Sequence, residues 1–513
     1  MRRNAQDLHP IAPSPQNLAM GIPSFEVIRR DGSAALRHHP PLQPRAWQRQ
    51  LIQLLRARLG DPDPDRRDLL LHAGPGAGKT LGALLGFRQL AREGRLGGLI
   101  VFCHRTAIAR QWSGAAERLG LHLPCWDPLQ GEESEPGEGL LLSYQAAARH
   151  RDRLVALLAQ RFAAQPWLAV ADEVHHLGID PEEPESSAWA RAFSALAVPA
   201  ALRLGLSGTP FRADALGFCA ARRVRVEEEG TVSERILPDL CVEPQQLIQA
   251  GDVRPLEFRF QDGWVDHGRH PGDRRLEASD LAQESRESWR ARNLRRAIQP
   301  GDGGGIAQRL LLQARRRLER VRLDHPGAAG LVIARDIDHA RRITALLAEE
   351  GEAPLLVHSQ DPEAAARLAS FRSGEHRWLV SIDMCTEGFD APRLRVVVYL
   401  STVVTRSRFL QAITRAVRME GERAEREGIP RDASYVYAPA DPLLISYARS
   451  WSRSEPYLLR SGAANGADGA VLAGGDRGAS LPLRALADGA GAVIRMGGPE
   501  LPLFLNRRPA EGR

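Results

Sequence analysis

The feature that most constrains this chain is the segment at residues 68–80, DLLLHAGPGAGKT. An apolar run, Leu69 to Leu71, is followed by a loop with three glycines that ends in Lys79 and Thr80. A helix-like stretch, Leu81 to Leu90, comes next. A strand, a glycine loop and a helix in this order predict a phosphate-binding loop, because glycines let several backbone N–H groups face one anion and the helix N-terminus adds partial positive charge.

Two side chains of this loop have expected roles. Lys79 is expected to reach the outer phosphates, and the Thr80 hydroxyl is expected to ligate Mg²⁺. Lys79 is the only lysine in a chain with 69 lysines and arginines, and arginine does not replace lysine at such a site. The alternative is a glycine turn beside a chance lysine. The residues expected to bind phosphates are Gly74, Gly76, Ala77, Gly78, Lys79 and Thr80.

Bulk composition narrows the class of protein. A chain of 513 residues is long enough for about two to four domains. The net charge of +6 permits a polyanionic partner without requiring one. The five cysteines contain no C-x-x-C pair, which argues against a zinc finger or an iron–sulfur cluster. Signal-peptide and membrane-spanning patterns are not found, so we expect a cytoplasmic protein without a membrane partner, nucleoid-associated if bacterial.

Strand and helix patterns alternate along most of the chain, which predicts an α/β fold with parallel sheets. In such sheets ligands bind at the carboxyl ends of the strands, where the polar motifs of this chain fall. The predicted organisation is an N-terminal extension at 1–35, a first domain at 36–245, a second domain at 246–445 and a Gly/Ala-rich C-terminal extension at 446–513.

The second domain contains an arginine-rich stretch at about 265–325, predicted to be a helical insertion. The simplest interpretation is a solvated charged face. The alternative is that its arginines, with Trp289 among them, contact nucleic acid. The tail at 446–513 carries no motif with a recognisable function.

An acidic pair follows the apolar strand WLAVA. Asp172 is expected to hold Mg²⁺, and Glu173 is expected to orient or deprotonate the attacking water. The alternative is a pair of charges at a helix N-terminus. Because the pair follows a buried strand downstream of a phosphate loop, we favour the catalytic interpretation.

Five motifs in the order AGPGAGKT, DEVHH, SGTPFR, CTEGFDAP and QAITRAVR resemble those of superfamily 2 helicases and translocases of the DExH type. The resemblance covers about residues 36–440 and points to the group of type III restriction-enzyme motor (res) subunits and excision-repair DNA helicases. It implies two RecA-like parallel-sheet domains in tandem. It also implies that ATP and Mg²⁺ bind in the cleft between them.

The resemblance also assigns roles to individual positions. Nucleotide contacts are implied for Gln48, which would read adenine, and for Gly388 and Asp390. Coupling of hydrolysis to strand movement is implied for His175, Ser207 and Thr209. Contacts to the nucleic-acid track are implied for His104, Arg105, Gln111, Ser143, Tyr144 and Glu387, while Trp112 fits a core position as well as a stacking platform.

The last motif supplies Gln411, Arg415 and Arg418, and the resemblance implies that the two arginines are arginine fingers acting across the cleft. Their i, i+4 and i+7 spacing predicts that one helix face presents all three. A finger arginine stabilises transition-state charge. The alternative is a helix with surface ion pairs.

The expected activity is therefore that of an ATP-dependent DNA helicase or translocase, which closes on ATP, opens after hydrolysis and steps along single- or double-stranded DNA. RNA remodelling stays open, as does an ATP-gated binding subunit of a repair or defence complex. The only lysine lies in the phosphate loop. A nuclease of the PD-(D/E)-x-K kind is thus not expected in this chain and would be a separate subunit.

Overall fold

The computed structural model describes residues 44–74, 76–104, 106–128, 137–163, 165–177, 186–208, 223–228, 231–236, 238–268, 277–301, 305–374, 376–382, 389, 391–419, 432–453, 459–460 and 484–497. They belong to one compact unit, Gln43–Arg513. The predicted N-terminal extension lies outside the described residues, as does the side chain of His175. The predicted site residues that also lie outside them are Arg105, Thr209, Glu387, Gly388 and Asp390.

Strands and helices alternate along the described chain. The strands are β1 (Asp68–Ala73), β2 (Gly98–Cys103), β3 (Gly139–Ser143), β4 (Trp167–Ala171), β5 (Leu202–Ser207), β6 (Arg223–Glu228), β7 (Thr231–Ile236), β8 (Leu240–Val242), β9 (Leu256–Gly268), β10 (Glu277–Asp280), β11 (Ala329–Ala334), β12 (Leu355–Val357), β13 (Trp378–Ser381), β14 (Leu394–Leu400), β15 (Ser434–Pro439), β16 (Leu459–Arg460) and β17 (Arg484–Gly497). The helices are α1 (Ala46–Leu59), α2 (Lys79–Arg92), α3 (Thr106–Glu117), α4 (Tyr144–Arg149), α5 (Arg151–Arg161), α6 (Ser186–Ala197), α7 (Pro244–Gln249), α8 (Glu287–Ala297), α9 (Ile306–Asp324), α10 (Ile337–Glu349), α11 (Ala364–Ser373), α12 (Arg406–Ile413) and α13 (Pro442–Arg453).

The first sheet has the strand order β3-β2-β4-β5-β1-β8 among the described residues, and every pairing in it is parallel. All residues of β2 and β4 are buried, which is typical of a parallel sheet with both faces covered. Strands β4, β5 and β1 are neighbours. Their carboxyl ends therefore lie side by side at one edge of the sheet.

The second sheet has the order β10-β9-β15-β14-β11-β13-β12 within the described part of the chain. Strands β9, β15, β14, β11, β13 and β12 run parallel. Helix α9 packs on β9, β14 and β15, and its buried side chains include Leu310, Leu311 and Leu318. Two successive sheets, the first parallel and the second mainly parallel, confirm the predicted α/β fold with tandem sheet domains.

Strand β17 belongs to the second sheet, although it comes from the tail segment 446–513. It pairs antiparallel with β9 from Glu257 to Gly268. Strands β15 and β10 pair with shorter successive parts of β9. Because a strand has two edges, β17 occupies one edge of β9, and β15 and β10 share the other.

Glycines permit the close approach of the paired strands β9 and β17. A Cβ at Gly263 would lie 2.1 Å from the carbonyl oxygen of Gly489. A Cβ at Gly489 would lie 2.6 Å from the indole ring of Trp264. No side chain fits at either position without moving backbone or ring, so the glycine content of the tail has a structural reason at this contact.

Asp488 fixes β17 to the helices of the second sheet. Its side chain is 2% exposed and forms an ion pair with Arg296 at 3.0 Å. The Asp488 carboxylate also accepts a hydrogen bond from the backbone N–H of Ile306 at 2.9 Å. Ile306 is the first residue of α9, so the carboxylate lies where the helix dipole favours negative charge.

The stretch predicted as a helical insertion contains strands as well as helices, since β9 continues to Gly268 and β10 follows. Trp289 is 6% exposed, its ring centroid lies 4.6 Å from that of His267, and the Arg286 guanidinium lies 3.6 Å from the ring centroid. This indole is a core residue and offers no platform to nucleic acid. The predicted domain boundary at 245 and 246 falls within α7. No helix in the described part of the chain combines the length and apolar character needed to cross a membrane.

Replacing Asp488 tests the docking of β17. Asp488→Ala is expected to lower the free energy of unfolding by about 3 kcal/mol, because it removes the acceptor of a partly buried arginine and of a helix N-terminus. Urea unfolding measures the loss. Asp338→Ala is the control, since that side chain is 77% exposed in an ion pair with Arg341; such a pair is worth about 0–1 kcal/mol. Equal losses in the two variants would contradict the docking.

Candidate active site

The phosphate loop passes from β1 to α2 through two left-handed backbone positions. Gly76 has φ +80° and Gly78 has φ +82°, which glycine adopts without steric cost. Lys79 is the first residue of α2, and its Nζ donates to the Ala73 carbonyl oxygen at 3.2 Å. The loop is therefore curled around a helix N-terminus, a geometry that favours binding of a phosphate.

Three neighbouring strands bring charged and polar groups together beside this loop. Glu173, which follows β4, places Oε1 at 3.7 Å from Lys79 Nζ. Glu173 Oε2 accepts a hydrogen bond from the backbone N–H of Gly208, which follows β5, at 3.3 Å. A Cβ at Gly208 would lie 2.3 Å from Lys79 Nζ, so a glycine here leaves room for the ammonium. Gly208 is a site residue that the sequence analysis missed.

The backbone of Glu173 adopts a left-handed conformation. Its φ is 49° and its ψ is 58°, and it is the non-glycine residue with positive φ among the described residues. This conformation costs an ordinary side chain about 1–2 kcal/mol. It turns the Glu173 carboxylate toward Lys79 and Gly208. The backbone strain at Glu173 is therefore associated with the placement of its carboxylate at the phosphate loop.

Asp172 is buried, whereas Glu173 is half-buried. Its Oδ2 accepts a hydrogen bond from the indole N–H of Trp112 at 2.8 Å, and its backbone carbonyl accepts one from the Tyr144 hydroxyl at 2.9 Å. Burial, and next the charge of Glu173, raise the pKa of Asp172 to about 6, while the Trp112 N–H and the Lys79 ammonium lower it. Trp112 therefore favours the ionised form of Asp172.

These contacts correct one of the predicted track residues, Tyr144, and favour the core interpretation of Trp112. Tyr144 is fully buried, so the prediction that it contacts nucleic acid is wrong; its phenol supports the backbone of Asp172. Trp112 is also fully buried and is a core residue. The contact between the Trp112 indole and Asp172 could not be predicted from a local pattern, because the two residues are 60 positions apart in the sequence.

The other described track residues have structural contacts of their own. His104 is 8% exposed and stacks on the ring of His176, with centroids 4.1 Å apart. The Ser143 hydroxyl caps α4 by accepting a hydrogen bond from the Ala146 N–H at 3.1 Å. Gln111 lies half-buried on α3. Contact of these residues with nucleic acid stays a prediction.

Ser207, predicted to couple hydrolysis to movement, is fully buried at the end of β5 and lies in register with His72 of β1. Burial, and next the charge of Lys79, lower the pKa of His72 to about 4. The imidazole beside the phosphate loop is therefore neutral near pH 7 and does not add a second cation. The coupling role of Ser207 stays a prediction.

Residues at the start of α1 donate hydrogen bonds to backbone carbonyls of the phosphate loop. Gln48 Nε2 donates to the Gly78 carbonyl at 3.2 Å, and Gln48 Oε1 accepts from the backbone N–H of Arg45 at 2.8 Å. Arg45 Nη1 donates to the carbonyls of Gly76 at 3.1 Å and Ala77 at 2.8 Å. Arg45 is a second residue that the sequence analysis missed. Recognition of adenine by Gln48 stays a prediction.

The three residues of the last motif do not share one helix face, so that prediction is wrong. Helix α12 ends at Ile413, a 3-10 turn covers Thr414–Val417, and Arg418 is extended with φ −69° and ψ 146°. A 3-10 turn has about three residues per turn, so it rotates the later side chains away from the α-helical register.

Arg418 is the predicted finger that lies against the phosphate loop. A Cβ at Gly76 would lie 3.7 Å from Arg418 Cγ and 3.5 Å from Val417 Cγ2. Arg415 is 7% exposed, and its Nη1 donates to the carbonyl of Phe389 at 2.8 Å. The buried Oε1 of Gln411 has no hydrogen-bond partner among the described residues, so it can accept one from a water.

The donors predicted for Mg²⁺ fit a hard cation. Thr80 and Asp172 supply oxygen ligands, which Mg²⁺ prefers. Burial, and next the charge of Glu173, raise the pKa of Asp172 and so disfavour its ionised form, and a bound cation would offset that cost. Within the described residues, no group of three or more His, Cys, Asp and Glu could hold a metal. Proteins usually bind Mg²⁺ through one or two carboxylates together with substrate phosphates and waters.

Crowding around Gly76 can be tested by comparison with Gly94. Their φ values are +80° and +69°, so alanine at either position costs about 1 kcal/mol for the left-handed backbone. A Cβ at residue 76 would also lie 3.0 Å from Val253 Cγ1, whereas nothing lies within 4 Å of one at residue 94. Gly76→Ala is therefore expected to lower the urea midpoint further than Gly94→Ala. Equal shifts would contradict the packing.

Two family models match the chain. The model described as type III restriction enzyme, res subunit, matches residues 41–212, and the model described as helicase conserved C-terminal domain matches residues 313–420. The first match contains the phosphate loop and the acidic pair. The second contains Arg415 and Arg418.

Relatives match over most of the chain. Uncharacterized protein Rv2917 of Mycobacterium tuberculosis (strain ATCC 25618 / H37Rv) is 31% identical over 457 residues, 86% of this chain and 69% of that protein. Uncharacterized protein ML1624 of Mycobacterium leprae (strain TN) is 28% identical over 441 residues, 84% of this chain and 67% of that protein.

A solved structure has a similar fold. The ATP-dependent Type ISP restriction-modification enzyme LlaBIII bound to DNA aligns with a TM-score of 0.51 and 14% identity over 81% of this chain, which spans 30% of that enzyme. The similarity supports two RecA-like domains in tandem. From the family models and the relatives together, the chain belongs to the superfamily 2 helicases and resembles the res subunit of type III restriction enzymes.

Proposed function

We propose that this protein is a nucleic-acid-dependent ATPase that uses ATP hydrolysis to move along DNA, as a helicase or translocase. The observation that carries the proposal is the meeting of three groups at one loop. Lys79 and Glu173 come from the first sheet domain, and Arg418 reaches the same loop from the second. A catalytic cleft for phosphoryl transfer requires this combination of cation, base and finger.

The proposed reaction assigns one task to each group. Lys79 and the loop bind the ATP phosphates, whose charge draws the ammonium away from Glu173. Glu173 then orients the attacking water. Gln411, whose Oε1 has no hydrogen-bond partner among the described residues, is proposed to accept a hydrogen bond from that water. Arg418 stabilises the charge that develops on the transferred phosphoryl group. Thr80 and Asp172 would hold Mg²⁺, which neutralises phosphate charge when it is bound.

Arg415 has a different proposed task. Its guanidinium donates to the carbonyl of Phe389, inside the CTEGFDAP motif. In this geometry it joins the last motif to the segment whose family counterparts sense the nucleotide and the track. We therefore assign the role of arginine finger to Arg418. Arg415 could take this role only if its hydrogen bond to the Phe389 carbonyl broke.

DNA is the proposed track because SGTPFR and CTEGFDAP resemble the motifs of restriction and repair motors. The expected partner that would cut DNA is a separate subunit. The RNA alternative and the ATP-gated binding subunit make different experimental predictions. We therefore treat them as outcomes of the test below.

The test is steady-state ATP hydrolysis without nucleic acid and with single-stranded DNA, duplex DNA or RNA. DNA is expected to stimulate the rate, Lys79→Ala to abolish the stimulated rate, and Arg418→Ala to lower it by roughly 10³-fold or more. Arg341→Ala is the control, because its side chain is 63% exposed in a surface ion pair and should leave the rate unchanged.

Three outcomes would change the proposal. Stimulated hydrolysis that survives in Lys79→Ala would overturn it. Stimulation by RNA but not by DNA would favour RNA remodelling. DNA binding that depends on ATP, without stimulated hydrolysis or strand displacement, would favour the gated binding subunit.

Trp112→Phe tests how the Asp172 carboxylate is kept ionised. At limiting Mg²⁺ the hydrolysis rate is expected to fall as pH drops through the pKa of Asp172, near 6, because the protonated group no longer holds the cation. Removing the indole donor raises this pKa, so the acid limb of the pH–rate profile should move to higher pH. Trp167→Phe, which removes a buried indole from the start of β4, should keep the limb in place. An unmoved limb in Trp112→Phe would contradict this role.

A further inference from the structure

Three consecutive residues between α7 and β9 contact both sides of the cleft, and we call them the linker clasp: Asp252, Val253 and Arg254. Toward the first domain, Asp252 Oδ1 forms an ion pair with Arg45 Nε at 3.3 Å. Arg45 in turn donates to two carbonyls of the phosphate loop. Val253 packs directly on the same loop, since its Cγ1 lies 3.0 Å from the Cβ position of Gly76.

Toward the second domain, Arg254 holds the segment that carries the proposed finger. Its backbone N–H donates to the Val417 carbonyl at 2.9 Å. Its Nη1 donates to the Arg418 carbonyl at 2.8 Å. Both carbonyls lie where the 3-10 turn ends and the backbone becomes extended, a point with no helical hydrogen bonds to fix it.

The contact of Arg254 with the last motif is buried. Arg254 is fully buried, so the hydrogen bonds of its backbone N–H and of Nη1 are shielded from water, and a hydrogen bond in a low-dielectric interior is stronger than one in water. Here two donors of one residue reach two consecutive carbonyls, so they define the path of the backbone at Arg418. The side chain of Arg418 leaves that backbone next to Gly76.

We propose that the linker clasp positions Arg418 over the phosphate loop, with Arg254 as the positioning residue. The inference rests on the proposed function, in which Arg418 acts on the transferred phosphoryl group. A contiguous set of contacts runs from the loop carbonyls through Arg45 and Asp252 to Arg254 and the Arg418 backbone. Displacement of the loop by phosphates is therefore transmitted to the finger through three linker residues.

The kinetic test compares two substitutions at residue 254. Arg254→Met keeps the length of the side chain and removes its donors, whereas Arg254→Lys keeps a cation and a donor. Rates are expressed per nucleotide-binding site, titrated with a fluorescent ADP analogue, so that unfolded protein is not counted. Arg254→Met is expected to lower the DNA-stimulated kcat about tenfold with KM for ATP nearly unchanged, and Arg254→Lys to recover part of the loss.

Arg395→Met is the matched control. Arg395 is 2% exposed, and its Nη2 donates to the carbonyls of Asp432 at 3.1 Å and Ala433 at 3.3 Å. It lies at the start of β14, and those two carbonyls belong to the segment before β15 rather than to the last motif. This variant is expected to lose stability but to keep the wild-type kcat per site. An equal fall in kcat would show general destabilisation and overturn the inference.

A double variant tests whether Arg254 acts through Arg418. If it does, Arg254→Met combined with Arg418→Ala is no slower than Arg418→Ala alone. Multiplication of the two single effects would overturn the positioning role. If Arg254→Met does not fold, Arg254→Lys replaces it in the cycle, because one ammonium does not reproduce the geometry of the guanidinium donor.

Hydrogen exchange separates this inference from the proposed function, because it needs no hydrolysis. Peptides covering residues 251–256 and 414–419 are expected to exchange faster in Arg254→Met than in the wild type, while a peptide from β14 exchanges at the same rate. Faster exchange in a protein that shows no ATPase activity would preserve the clasp and overturn only the proposed function. Unchanged exchange in both cleft peptides would overturn the clasp.

Discussion

The contact between the Lys79 ammonium and the Glu173 carboxylate, 3.7 Å apart, is the interaction on which the rest of the cleft depends. It exists because β1, β4 and β5 are adjacent parallel strands whose carboxyl ends meet at one edge. The space for the ammonium is set by Gly208, which has no Cβ to fill it. An ammonium is a compact point charge and a guanidinium is a planar fork, so arginine does not substitute for the single lysine of this chain at the phosphate loop.

Short sequence patterns predicted the buried strand β4, the phosphate loop and the acidic pair, because each of these is determined by residues that are close together in the sequence. The bounds of β4 match the predicted apolar strand WLAVA, because an uninterrupted apolar segment between polar breakers identifies a strand buried on both faces. The phosphate loop and the acidic pair were also predictable, since their chemistry requires particular residue types at fixed places after a strand. These elements belong to the first domain and supply its part of the candidate site, Lys79 and Glu173.

Other parts of the site depend on partners that are distant in sequence. Tyr144 and Trp112 resemble track residues by position, but each is buried, and its polar atom donates a hydrogen bond to Asp172, which follows β4. The spacing of Gln411, Arg415 and Arg418 fits an α-helix, yet a 3-10 turn follows α12. Arg254 carries no motif at all; its contacts with the last motif arise only when the two domains meet.

Strand β17 has a consequence for the order in which the protein assembles during synthesis. The outer edge of β9, a strand of 13 residues, gains its neighbour only after the ribosome has made residue 497. Contacts of such long sequence separation form slowly, because a large loop must close first. Until then the second domain exposes an unpaired strand edge, which is a template for pairing with other chains. During this interval the edge of β9 that later pairs with β17 can be bound either by a chaperone or by another copy of the chain.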